Sequence, residues 1–407
     1  MYDLTPAQKT LQAQARELAQ SEFAPTAAQT DQTESYPWAN IEKLRAAGFM
    51  GMTIPEQYGG RGLGYRDVVI VVEEMAKACA TMGRIAVEAN MGAIGAIMQY
   101  GTEEQKQVAA KSVLSGDKPA ICISEPLAGS AASEMTTRAD RKDDNYYLNG
   151  EKYWITGGGV SKLHLIFARV FDGHVDQGIG AFMCMRHSED SPRELVVAKR
   201  TPAMGVRGIP ETHLEFHDLK IHKSMLVMPP GGLARGFASL MQAYNAQRVG
   251  AGTVALGIAQ GAFDEALNYA KLRYQFGRPI AEFQGIQWML TDMSIQLEAA
   301  RHLLHAAACS GGAGFPDMAM AARAKIFAAE IANKVTGDAL QIYGSSGYSR
   351  DNPMERHVRD ARMFTIAGGT AQVLRTQVAA SLLDMKLPQT RDGYVRASII
   401  NPQEKAH

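Results

Sequence analysis

Few residues in this chain stand where chemistry could use them, and the first is an arginine inside an apolar helical run. It lies in Cys79-Ala80-Thr81-Met82-Gly83-Arg84-Ile85-Ala86-Val87-Glu88. A cation in such surroundings is costly unless an anion answers it. Two answers are open: Glu88, four residues on and on the same helical face, or an anionic ligand held by the planar guanidinium fork. The familiar catalytic signatures are missing. No HExxH, GxSxG or Walker sequence occurs. The run Gly59-Gly60-Arg61-Gly62-Leu63-Gly64 has the wrong glycine spacing for a dinucleotide loop and precedes no βαβ unit. Ten histidines show no ligand spacing, and Cys79, Cys122, Cys184 and Cys309 form no CxxC. Neither a metal site nor a disulfide framework is therefore expected, and a reducing cytoplasm fits best.

The elements that must position these residues change character along the chain. With 42 basic and 42 acidic residues among 407, no net field draws nucleic acid or an anionic membrane. The length allows two or three domains. Thr5, Pro6 and Gln8 form an N-cap, a first-turn proline and a capping-box partner, so the chain opens on a helix rather than a signal peptide. No run of about 18 apolar residues spans a membrane. Helical texture continues through Ala76–Tyr100 and Lys106–Leu114. Short branched or aromatic runs then predict antiparallel strands at 146–148, 152–156, 163–170, 179–185 and 213–216, with a turn at Leu148-Asn149-Gly150. After Pro229-Pro230-Gly231-Gly232 the helical period returns over Ala251–Tyr274, Gln284–Cys309, Asp317–Tyr343 and Ala371–Leu383. The expected class is α+β: an N-terminal all-α domain (1–120), a middle β-barrel or sandwich domain (121–228) and a C-terminal four-helix bundle (229–407).

Four segments in this order resemble the acyl-CoA dehydrogenase family over nearly the whole chain. Cys122-Ile123-Ser124-Glu125-Pro126-Leu127-Ala128-Gly129-Ser130 is similar to the loop that meets the flavin edge, with Ser130 at the place that touches the CoA arm; Ala131 replaces the usual aspartate. Lys152-Tyr153-Trp154-Ile155-Thr156 is similar to the stretch beside the flavin ring. Arg273-Tyr274-Gln275-Phe276-Gly277-Arg278-Pro279-Ile280 resembles the segment that reaches FAD across a subunit interface, where paired guanidinium donors suit pyrophosphate. Gln341 to Tyr348, continuing to Arg356 and Asp360, follows the C-terminal pattern. The resemblance implies FAD held by Ile121, Cys122, Ile123, Ser124, Tyr153, Trp154, Ile155, Thr156, Arg273, Phe276, Ile280, Phe283, Gln284, Gln341, Gly344, Ser345, Thr370 and Gln372. It also implies an acyl-CoA substrate met by Arg84, Ser130, Tyr244, Arg248 and Gly369, and a homotetramer built as a dimer of dimers.

Two departures concern the reaction. The family's base, usually a glutamate before Gly-Thr, is Gly368 here, and the alternative position is Gln247, an amide that cannot act as a base near neutral pH. Together with Arg84 they resemble a small branch, the 3-sulfinopropionyl-CoA desulfinases, which convert thioester and water to propionyl-CoA and sulfite without net redox change. On that resemblance Arg84 and Gln247 are the catalytic candidates: Arg84 grips the sulfinate and Gln247 orients water or substrate. Two alternatives stand beside it. One is an FAD-dependent dehydrogenase of a short dicarboxylyl-CoA with an unrecognised base; the other is a non-catalytic acyl-CoA-binding flavoprotein.

Overall fold

The computed structural model describes residues 3–188 and 191–387; the end of the expected C-terminal domain, 388–407, lies outside the described residues. Helices come first: α1 (Pro6–Leu18), α2 (Ala24–Thr33), α3 (Trp38–Ala46), α4 (Tyr65–Ala78), α5 (Ala80–Asn90), α6 (Ala93–Tyr100) and α7 (Glu103–Leu114). The capping box is present, with Thr5 Oγ1 accepting from the Gln8 amide and Gln8 reaching back to the Thr5 amide. The helical stretch expected over Ala76–Tyr100 is three helices. The backbone turns extended at Cys79 (φ −153°) and again at Met91 (φ −135°), with Gly92 at φ 71°.

The strands follow: β1 (Ala120–Cys122), β2 (Arg138–Lys142), β3 (Asn145–Thr156), β4 (Leu163–Asp172), β5 (Val175–Met185), β6 (Leu195–Thr201), β7 (Glu211–His222) and β8 (Leu226–Val227). They form one sheet in the order β6-β7-β3-β2-β4-β5-β8, with β1 on β4. Two expectations are corrected. The pairs β1–β4 and β2–β4 are parallel. Leu148-Asn149-Gly150 is no turn, because β3 runs through it and the misfit with β7 is absorbed as a register shift between Leu148 and Gly150.

The chain then returns to helices: α8 (Gly236–Leu272), a two-residue-stranded hairpin of β9 (Tyr274–Gln275) and β10 (Arg278–Pro279), α9 (Gln284–Cys309), α10 (Met318–Tyr343), α11 (Ser345–Tyr348), α12 (Met354–Arg362) and α13 (Ala371–Leu382). Asp317 caps α10 by accepting from the Met320 amide. The long helix α8 packs against α4, α5, α9 and α10, so one apolar core joins the two helical regions. A separate core lies within the sheet around Phe182, Phe216 and Leu214. No helix among the described residues is long and apolar enough to cross a membrane.

Candidate active site

Arg84 stands mid-helix in α5 with 5% of its surface exposed. Its Nε lies 2.8 Å from Glu88 Oε1, an ion pair whose angle falls short of a hydrogen bond. Neither Nε nor Nη1 has a hydrogen-bond partner among the described residues. Glu88 is also shared: its Oε2 pairs with the buried Lys118 ammonium, which donates in turn to the Thr156 carbonyl at 2.8 Å. Of the two anions open to Arg84, the internal one is therefore present, but it serves two cations. Burial opposes the guanidinium charge, and Glu88 followed by Glu211 outweighs it, holding the Arg84 pKa above its ordinary value.

Helix α8 brings Tyr244, Gln247 and Arg248 to one face through i, i+3 and i+4 spacing. The Arg248 guanidinium lies 5.8 Å from the Tyr244 ring centroid, and its Nη1 donates to Asn245 Oδ1 at 2.8 Å. Gln247 Oε1 and Arg248 Nε are buried without a partner among the described residues. A Cβ on Gly92 would stand 2.5 Å from Gln247 Oε1, so a side chain there would displace the amide. On α10, Lys325 Nζ donates to the Gly369 carbonyl at 2.7 Å. Burial, then repulsion from Arg248 and Arg84, brings its pKa down to about 7. Gly368, next to this carbonyl, offers only backbone.

The sheet supplies the other wall. Between Lys152 and Ile155 the β3–β7 register shifts, leaving Tyr153 and Trp154 opposite His213. Trp154 takes φ 60°, an outlier for a bulky residue, and presents its indole with 54% exposed. Past the bulge, Thr156 faces Glu211, and the Thr156 hydroxyl lies 2.9 and 3.0 Å from the two Glu211 oxygens. The preceding loop is pinned by Glu125, which accepts from Lys152 at 2.7 Å and from the amides of Thr136 and Thr137. Ser124 is tied in through its carbonyl, which accepts from the Tyr153 amide at 2.8 Å.

Arg84, Tyr244, Gln247 and Arg248 are thus gathered into one buried polar cluster, and Gly369 reaches it through Lys325. Ile121, Cys122 and Ile123 form and follow β1 beside β3, and Ile155 is buried in the sheet. Ser130 is exposed. Arg273, Phe276, Gln284, Gln341, Gly344, Ser345 and Gln372 stand exposed on the C-terminal helices and hairpin, whereas Ile280 is buried, and Phe283 and the α13 N-cap Thr370 are half-buried. Three buried ionisable groups, Lys118, Glu211 and Lys325, escaped the sequence reading. Lys325 alone left a trace, since it interrupts the apolar stripe Ala321, Ala328, Ala332 at helical spacing. Among the described residues no group of three or more His, Cys, Asp or Glu side chains gathers to hold a metal.

Comparison with known proteins agrees with this architecture. The acyl-CoA dehydrogenase N-terminal, middle and C-terminal domain profiles match residues 5–117, 120–219 and 234–383. The chain is 80% identical to a protein of Cupriavidus necator named 3-sulfinopropanoyl-CoA desulfinase, over 97% of this chain and all of that one. It is 76% identical to one of the same name from Variovorax paradoxus, over 98% of this chain and all of the relative. Among solved structures, butyryl-CoA dehydrogenase from Megasphaera elsdenii superposes with a TM-score of 0.88 at 34% identity, covering 94% of this chain and 100% of that one. The chain belongs to the acyl-CoA dehydrogenase family.

Proposed function

We propose that this protein desulfinates 3-sulfinopropionyl-CoA with water to propionyl-CoA and sulfite, with no net redox change. One observation carries the reading: a buried guanidinium, Arg84, keeps an unpartnered Nη1, and Glu88, its one ion-pair carboxylate among the described residues, is shared with Lys118. An unpartnered N–H on a buried guanidinium suits an anion, and a sulfinate tail brings one. The relatives named 3-sulfinopropanoyl-CoA desulfinase, at 80% and 76% identity, support the same substrate. Arg84 holds the sulfinate oxygens and draws charge from sulfur, so that positioning and electrostatics supply most of the acceleration. The free Gln247 Oε1 suits a water or substrate donor. Arg248 and Tyr244 flank the thioester, and the Gly369 backbone, steadied by Lys325, borders it.

FAD fits the other wall. The bulged Trp154 offers a flat, exposed face, and Ser124 is tied to the same bulge through its carbonyl, which accepts from the Tyr153 amide. Ile121 to Ser124 and Tyr153 to Thr156 of one subunit, with Arg273, Phe276, Ile280, Phe283, Gln284, Gln341, Gly344, Ser345, Thr370 and Gln372, would hold the cofactor. In a redox-neutral reaction it supplies a wall that shapes the pocket. Phe276, 93% exposed at the tip of the β9–β10 hairpin, suits a surface that reaches another copy, as a homotetramer built from two dimers requires. The free cysteines suit a reducing cytoplasm.

Arg84 variants test the reading. Arg84→Lys keeps charge but loses the fork, and sulfite release from 3-sulfinopropionyl-CoA should fall steeply. Arg84→Ala should lose more, on the order of 2–5 kcal/mol of interaction with a desolvated anion, while FAD content stays normal. Sulfite release by Arg84→Ala at the unmodified rate would reduce Arg84 to a partner of Glu88.

A further inference from the structure

Cleavage of the carbon–sulfur bond leaves a β-carbon that must gain a proton, and neither Arg84 nor Gln247 can give one. Glu211 is a buried carboxyl bonded to a hydroxyl that can relay one. It opens β7 directly after Pro210, opposite Thr156, with 8% of its surface exposed. Its carboxyl oxygens lie 2.9 and 3.0 Å from the Thr156 hydroxyl, and no salt bridge reaches it among the described residues. The charged and titratable groups facing it are Arg84 and Glu88 from α5, Lys118 from the segment entering β1, and Tyr244 from α8. Burial raises its pKa to about 7, against the pull of Arg84, the Thr156 hydrogen bond and Lys118 and with the push of Glu88. A carboxyl in this position is partly protonated at neutral pH, which an ordinary exposed glutamate is not.

We propose that Glu211 is the proton reservoir of the desulfination, acting on the substrate through the Thr156 hydroxyl. The inference rests on the desulfinase reading above. Water attacks sulfur, forming the S–O bond, and the C–S bonding pair passes to the β-carbon. That carbon takes a proton from Thr156 Oγ1 as Thr156 takes one from Glu211. The proton shed by the attacking water returns to the Glu211 carboxylate. The sum is RCH₂SO₂⁻ plus H₂O giving RCH₃ plus HSO₃⁻, with Thr156 and Glu211 restored and no oxidant required. The same charge logic couples binding to protonation: a sulfinate brought to Arg84 adds a negative charge near Glu211 and favours its neutral form.

The sign of the pH dependence follows. Glu211 donates when protonated, so kcat/KM, which reports the free enzyme, should fall as pH rises through about 7. The limb of kcat, which reports the bound enzyme, should lie at higher pH. The experiment measures sulfite release by the FAD-loaded enzyme from pH 5.5 to 9 for the unmodified protein, Glu211→Gln and Glu211→Asp. Glu211→Gln should lose about 100-fold or more in kcat with little change in KM, and its limb near neutrality should vanish; Glu211→Asp should retain the limb. Glu211→Gln at the unmodified rate, with the limb intact, overturns the proposal and assigns that limb to another group, such as Lys325, while the desulfinase reading stands. An unmodified enzyme that releases no sulfite overturns both. A second measurement needs no variant: calorimetry at pH 7 in buffers of different ionisation enthalpy, with succinyl-CoA as an unreactive anionic-tailed probe and butyryl-CoA as its neutral counterpart. Proton uptake with succinyl-CoA alone is expected, and equal uptake with both thioesters counts against Glu211.

Discussion

Restoring a carboxylate at Gly368 should turn this protein toward dehydrogenation, and the structure sets what the change costs and what it returns. Gly368 and Gly369 sit at φ 75° and 87°, just before the Thr370 cap of α13. A Cβ added at Gly368 finds its nearest neighbour, Ala251 Cβ, at 4.0 Å, so a side chain has room. The cost is conformational: an L-residue in the left-handed region loses about 1–2 kcal/mol, a tolerable part of the roughly 5–15 kcal/mol that holds a domain together. A glutamate there would stand near the Lys325 ammonium, which donates to the adjacent Gly369 carbonyl, and a nearby cation favours the ionised carboxylate. A general base contributes roughly 10²–10⁴-fold, equal to about 2.7–5.4 kcal/mol of barrier. Gly368→Glu should therefore oxidise butyryl-CoA by about that factor above the unmodified protein. The assay is anaerobic loss of flavin absorbance, followed by turnover with an artificial electron acceptor. A folded, FAD-loaded Gly368→Glu with no oxidation above background would show that the missing carboxylate is not what prevents dehydrogenation. It would also remove the physical reason for keeping glycine there, which is to spare the propionyl-CoA product from oxidation to acryloyl-CoA.

Other outcomes follow from named contacts. Asp31 clasps Arg207 at 2.8 Å and Arg359 at 2.6 Å, joining the N-terminal helices to the sheet domain and to α12. Burial would raise its pKa, but the two guanidiniums outweigh it and hold the carboxyl well below the usual range. Its stabilisation is thus present above the unfolded pKa, near 4, and is lost as pH falls below that. Asp31→Asn should cost about 1.5–3 kcal/mol at pH 7 and flatten the acid end of the stability curve; denaturant unfolding at pH 7 and pH 3 checks both, and an equal loss at the two pH values would refute the clasp. Arg273→Ala should lower FAD content and shift sedimentation away from a tetramer without unfolding the helices, whereas full FAD occupancy in a monomeric variant would speak against a shared cofactor site.

The chain's legibility depended on how local each feature is. The capping box at Thr5 and the helix spanning Gln284–Cys309 were readable because caps and helical periodicity involve neighbours in sequence. Breaks at Cys79 and Met91 were not, since no proline marks either one and the alanine-rich sequence keeps its helical texture through both. The run Leu148-Asn149-Gly150 carries a turn signal, yet pairing with β2 and β7 on both sides carries the strand straight through it. Arg84, Gln247 and Gly368 were conspicuous as wrong residue types in recognisable places, and Arg248 as the expected type in its place. Glu211 was invisible for the opposite reason: strand alternation puts it with the half-buried His213 and Glu215, and the groups that face it, Arg84 and Glu88 of α5, Lys118 and Tyr244, are distant in sequence. Sharing of Glu88 between Arg84 and Lys118 was likewise a long-range fact, since Lys118 lies 30 residues away in sequence.

The central claim is that an acyl-CoA dehydrogenase frame here cleaves a carbon–sulfur bond without moving electrons to or from FAD. Its most direct test mixes the purified FAD-loaded protein anaerobically with 3-sulfinopropionyl-CoA and follows sulfite and flavin absorbance in the same cuvette. Stoichiometric sulfite and propionyl-CoA with unbleached flavin is the predicted result. Bleaching of the flavin in step with thioester consumption, or consumption without sulfite, would contradict it.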